Sequence, residues 1–173
     1  MVRAALAQRR HIGQGPVAGA RYVPAICVLI ASLLTALPII SASGWYPDFG
    51  FLVLIGWRLL RSDVWPAWWA APLGLFNDLV TGHPLGFSIA VWTAAMLLLD
   101  LADRRTMWRG YWLEWILAAL MLLANEAAEW RVAQIMDASL PFRSVLPPLL
   151  ISILSFPVVA WLVSRLDRWR LGR

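Results

Sequence analysis

Apolar residues run along the chain in six blocks, approximately Tyr22 to Ile40, Phe49 to Leu60, Ala67 to Val80, Gly86 to Leu101, Tyr111 to Ala128 and Val145 to Leu166. Polar or turn-rich stretches separate them: Ser41-Ala42-Ser43-Gly44, Arg61-Ser62-Asp63, Thr81-Gly82-His83-Pro84, Asp103-Arg104-Arg105 and the longer Glu129 to Ser144. Continuous apolar blocks of this length, bounded by Gly, Pro and charge, predict helices buried in hydrocarbon or in one another. The expected fold is all-α: a polytopic membrane protein with one six-helix transmembrane domain at 22–166, between basic tails at 1–21 and 167–173. The pattern contains no internal repeat and no low-complexity segment.

The second and third blocks are short. Twelve residues from Phe49 to Leu60 reach only about 18 Å, against a hydrocarbon core of roughly 30 Å. A re-entrant pair would place Arg58, Arg61 and Asp63 near mid-membrane, where each charge costs at least about 2.5 kcal/mol. Two true spans, tilted or locally thinning the bilayer, are therefore preferred.

Composition supports lipid as the main solvent. Of 173 residues, 61% are hydrophobic and 14% charged, with a mean hydropathy of +0.67; soluble domains hold roughly 45–50% apolar and about 25% charged residues. Spans of about 20 residues leave room for six or seven crossings and no extramembrane domain. The single cysteine, Cys27, lies within the first block and can form neither an intramolecular disulfide nor a thiolate metal cluster.

The net charge of +5 comes from fifteen arginines and no lysine. A nucleic-acid surface needs clustered basic residues, and these sit singly or in small groups at block ends, so no nucleic-acid partner is expected. With a cytoplasmic N-terminus, the inner segments hold thirteen arginines: Arg3, Arg9, Arg10, Arg21, Arg58, Arg61, Arg104, Arg105, Arg109, Arg165, Arg168, Arg170 and Arg173. Only two, Arg131 and Arg143, fall outside. That asymmetry predicts both termini in the cytoplasm. Ser41-Ala42-Ser43 resembles a signal-peptide cleavage site, but the apolar run before it exceeds the about 7–15 residues of a signal sequence, so an uncleaved first span is expected.

Twelve tryptophans accompany the blocks. Trp45 and Trp130 are expected in an outer interfacial belt, and Trp65, Trp68, Trp69, Trp108, Trp112 and Trp169 in an inner one. Trp57, Trp92, Trp115 and Trp161 are left to helix or lipid packing.

Polar groups within the blocks carry more information, because lipid cannot satisfy them. These are Arg58, Asn77-Asp78, Asp100, Asn125-Glu126 and Glu129. Asp100, Glu126 and Glu129 lie close enough to a membrane face for interfacial solvation. Gly74 and Asp78, four residues apart, share a helix face, so a bare close-approach surface lies one turn from a carboxylate. Two roles fit Asp78: it hydrogen-bonds the following turn and orients its helix, or it takes part in partner recognition.

The stretch Tyr46-Pro47-Asp48, Trp57, Gly74, Asp78, Gly82, Leu85 and Gly86 resembles the rod shape-determining MreD family, small polytopic subunits of the bacterial cell-elongation machinery. Arg58 adjoins Trp57 in the same segment. Size, span count and basic ends also match, whereas the last two spans match only as apolar helices. The resemblance implies a non-enzymatic inner-membrane scaffold without a cofactor. Its implied partners are the bitopic protein MreC, the MreB filament, and RodA with its penicillin-binding transpeptidase, together with anionic inner-leaflet lipid. The family's six-helix arrangement also looks like the substrate-binding subunits of energy-coupling-factor transporters, which keeps a small-molecule-binding subunit as the alternative.

The residues available agree with a scaffold. His11 and His83 are expected on opposite sides, so no His-based metal site or triad forms, and no Gly-rich phosphate loop occurs. Asp78 and Asp100 are predicted near opposite faces, which separates the pair an aspartyl protease needs. Gly74 and Asp78 are expected to meet a partner's transmembrane helix, and Trp57, Trp92, Asn77 and Asp78 could line a transporter cavity.

Overall fold

The computed structural model describes residues 19–37, 47–61, 65–105, 110–136 and 141–171. Within them lie six α-helices: α1 (Val23–Thr35), α2 (Phe49–Leu60), α3 (Ala70–Thr81), α4 (Phe87–Arg105), α5 (Tyr111–Ile135) and α6 (Leu146–Arg170). Short 3-10 turns, Ala67–Trp69 and Phe142–Val145, lead into α3 and α6. Each helix corresponds to one apolar block, and the described residues contain no strand. Tyr46, Trp45, Asp63, Trp108, the basic tail before Gly19 and the 41–44 connection lie outside the described residues.

Local chemistry sets the helix starts and stops. Pro24 stands in the first turn of α1, where its missing N–H removes nothing. Asp48 caps α2, its Oδ1 accepting from the Phe51 N–H at 3.1 Å, while Thr35 Oγ1, at the end of α1, accepts from the Phe49 N–H at 3.1 Å. Two donors that a helix N-terminus leaves open are thus satisfied. α3 stops at Gly82, whose φ of 76° lies in the left-handed region favoured by glycine.

α2 forms the centre of the bundle. It packs against α1, α4, α5 and α6, while α3 packs on α1 and α4. Nine of its twelve residues are buried, which explains how a short helix is accommodated: neighbours, not hydrocarbon, cover its sides. Phe51, Leu52, Leu54, Ile55, Trp57 and Leu59 join Val28, Leu73, Trp92, Met96 and Leu99 in one core.

The helices alternate in direction, and polar contacts cluster at two ends. At one, the ends of α2, α4 and α6 meet through Arg58 with Asp100 and Asp103, and through Arg61 with Asp167. At the other, the start of α2 meets the end of α3 and the start of α4 through Asp48, Asn77 and Ser88. The end of α2 therefore stands level with the ends of α4 and α6.

α6 continues through Pro157, which has no N–H to offer the carbonyl of Ile153 four residues earlier. Trp115 Nε1 of α5 donates to that oxygen at 3.2 Å. The proline's lost bond is replaced by one from the adjacent helix, and Trp115 acquires a specific role in joining α5 to α6.

Large apolar side chains cover much of the outside. Ile26, Ile30 and Leu33 project from α1, and Leu150, Leu154, Val158 and Trp161 from α6, with Leu154 71% exposed. Among the described residues, one helical segment, Phe142–Arg170, is long and apolar enough to cross a membrane by itself.

Candidate functional site

At the end formed by the head of α2 and the tail of α3, four polar side chains and a glycine lock three elements together. Asn77 Nδ2 donates to Asp48 Oδ2 at 3.1 Å and lies 3.2 Å from Ser88 Oγ. The Asp78 carboxylate accepts from the backbone N–H of Gly86 and of Ser88, each at 2.8 Å. It therefore binds two open donors at the start of α4 and complements the positive end of that helix's dipole. Asp48, Asn77, Asp78 and Ser88 are all buried.

Gly74 completes this contact. A Cβ there would lie 2.7 Å from the Ser88 carbonyl carbon and 2.8 Å from both Ser88 O and Ile89 N. The obstacle is the backbone of α4. The expectation that Gly74 and Asp78 meet a partner's helix is corrected accordingly, because that face is occupied by α4 of the same chain. The turn-orienting role is the one that the hydrogen bonds display.

The rest of the glycine–aspartate segment falls around this cap. Pro47 is buried beside Asp48. Gly82 and Gly86 both have positive φ, 76° and 97°, and bracket the turn that returns the chain over Asp78. Leu85, in that turn, is 72% exposed.

Trp57 and Arg58 belong to the opposite end. Arg58, 3% exposed, extends Nη2 to Asp100, with Asp103 Oδ2 at 2.9 Å. Arg61 Nε lies 3.2 Å from Asp167 Oδ2. Asp167 also holds Arg170 at 2.6 Å, and the Arg170 guanidinium stands 5.2 Å from the Trp57 ring centroid, within cation–π range. This network joins α2, α4 and α6. Asp100 is therefore paired, beyond the interfacial solvation expected of it, and lies twelve residues along α4 from Ser88, about 18 Å from the Asp78 end.

Two further expectations change. Trp65 is buried and stacks on Trp69, with centroids 6.3 Å apart, so it stands in the core and outside the belt. Glu126 is only 7% exposed. It lines a cavity of about 710 Å³ between the α3–α4 turn, the end of α5 and the start of α6, together with Glu129 and His83. Trp92 packs on Phe51 in the core, and Trp92, Trp57, Asn77 and Asp78 do not line this cavity.

Asn77 and Asp78 were legible as unusual from their depth within an apolar block. Ser32 and Ser88, both fully buried, escape notice because a serine in a helix is unremarkable by sequence. Asp103 and Asp167 look like ordinary helix-end charges, and only their arginine partners distinguish them. Among the described residues, no group of three or more His, Cys, Asp or Glu is arranged to hold a metal ion.

Compared with known proteins, the chain matches no protein-family model, no curated protein and no solved structure.

Proposed function

We propose that this chain is a non-enzymatic, six-span inner-membrane scaffold of the bacterial cell-elongation machinery, with both termini cytoplasmic. It acts by helix packing with MreC and links MreB to RodA and its penicillin-binding transpeptidase. The resemblance carried by Asp48, Gly74, Asp78, Gly82 and Gly86 supplies the family. The observation that carries the reading is the inverted distribution of polarity: the outside is stripes of leucine and isoleucine, while buried polar groups join one helix to another. Lipid makes such a surface favourable and makes internal pairing necessary.

The orientation has support from the arginines. Arg21, Arg58, Arg61, Arg165, Arg168 and Arg170 belong to the helix ends gathered about Asp167, and Arg131 and Arg143 to the opposite end. With the arginine-rich end inside, anionic lipid and the filament face the basic residues. Because Gly74 is turned inward, the partner's helix is assigned to the exposed apolar stripes of α1, α5 or α6.

The reading is tested by depletion in a rod-shaped host, with microscopy and with co-purification of MreC. Rounding of the cells and recovery of MreC are expected; retained rod shape with no MreC recovered overturns the scaffold reading. The cavity beside Glu126 favours a second reading, a small-molecule-binding subunit of the energy-coupling-factor type. That reading expects a small molecule to be released from the purified protein and detected by mass spectrometry.

A further inference from the structure

The cavity at the end of α5 contains a carboxylate that the described residues leave without a partner. Glu126 is more than nine-tenths buried and borders the cavity, and no described residue hydrogen-bonds or ion-pairs with it. Burying a carboxylate in this way is costly unless something compensates it. The other buried carboxylates are provided for: Asp78 by two backbone donors, Asp48 by Phe51 and Asn77, and Asp167 by two arginines.

Glu129 borders the same space one turn along α5, on the same helix face. Asn125 Nδ2 donates to one of its oxygens at 2.7 Å. His83 also lines the cavity, and its Nδ1 is buried without a hydrogen-bond partner. Two carboxylates, one of them already bonded to Asn125, thus offer acceptor oxygens beside the cavity. Arg143 reaches the cavity wall but is exposed and makes no ion pair with either glutamate. Phe87, Met136 and Pro148 provide apolar wall. A volume of about 710 Å³ falls within the roughly 300–1,000 Å³ of small-molecule sites.

We propose that this cavity binds a primary ammonium group on Glu126, with Glu129 as a further acceptor and the ligand's apolar portion against Phe87 and Met136. A primary ammonium has three donors and a charge opposite to that of the carboxylates. It reaches the site either on a free amine or as the headgroup of an aminophospholipid whose phosphate meets Arg143. The inference is independent of the scaffold reading and gives the transporter reading a ligand class.

The test uses the full chain in nanodiscs of phosphatidylcholine, followed by thermal unfolding. For the free-amine source, added phenethylamine raises the midpoint while neutral 2-phenylethanol does not. For the lipid source, replacing phosphatidylcholine with phosphatidylethanolamine raises the midpoint without added amine. In either case Glu126→Gln abolishes the rise, and the ligand-free variant is at least as stable as the parent because an uncompensated charge has been removed. Ala133→Trp, which fills the cavity from its wall, also abolishes it. No rise with either source overturns the proposal, as does a rise that Glu126→Gln leaves undiminished. Neither outcome bears on cell shape or on MreC recovery, so the scaffold reading stands or falls separately.

Discussion

Replacing Gly74 with alanine probes the close approach of α3 to the backbone of α4. The new methyl group would stand 2.7 Å from the carbonyl carbon of Ser88 and 2.8 Å from its oxygen. Overpacking costs about 1–3 kcal/mol, and the upper end applies because backbone cannot rotate aside as a side chain can. Alanine recovers about 1 kcal/mol of helix propensity. If α3 and α4 move apart to relieve the overlap, the Asp78 bonds to Gly86 and Ser88 stretch, and weakening one charged hydrogen bond adds about 1.5 kcal/mol or more. The net expectation is a loss of about 2–4 kcal/mol.

The assay is denaturant unfolding of the purified protein in detergent, read by tryptophan fluorescence, with Gly110→Ala as control. A Cβ on Gly110 meets nothing within 4 Å, so the control should lose no more than about 1 kcal/mol, the cost of alanine at the N-cap of α5. A wild-type midpoint for Gly74→Ala would refute the internal-contact reasoning. If that variant also lost MreC recovery, the face would have to be outward after all.

Removing Arg58 with alanine leaves Asp100 and Asp103 facing one another without their shared cation. A broken buried pair costs about 3–5 kcal/mol, and the lower half of that range is expected because the Asp100 side chain is 33% exposed. Adding Asp100→Asn and Asp103→Asn should restore part of the loss in the same unfolding assay; full additivity would contradict the pairing. Trp115→Phe should cost about 1 kcal/mol by orphaning the Ile153 carbonyl. In a Pro157→Ala background, where a backbone N–H is again available to that oxygen, the cost should largely vanish, and an unchanged cost would count against the substitution of one bond for the other.

Asp78 shows how far sequence reasoning reaches. A carboxylate four residues after a glycine and four before the Gly82-His83-Pro84-Leu85-Gly86 turn announces a constrained junction. Spacing does not determine which neighbour fills the glycine's space. An external helix and the chain's own α4 produce the same pattern, since both need a missing Cβ and an acceptor. Arg58 is similar: its depth demanded a partner, but Asp100 and Asp103 are forty-two and forty-five positions away, a separation no local rule connects.

By itself the sequence determined the six helices and their approximate limits, because hydrophobic periodicity, proline and glycine act within a few residues. It also determined that both ends of the bundle would carry charge, since block boundaries are where arginine and aspartate occur. Only the tertiary structure decided that α2 is enclosed, that the Gly74 face is internal, and that Glu126 borders a cavity with no ion pair to a cation among the described residues. Those outcomes depend on which helices become neighbours, and neighbourhood follows from the packing of whole faces and from pairings such as Asn77 with Asp48 and Trp115 with Ile153.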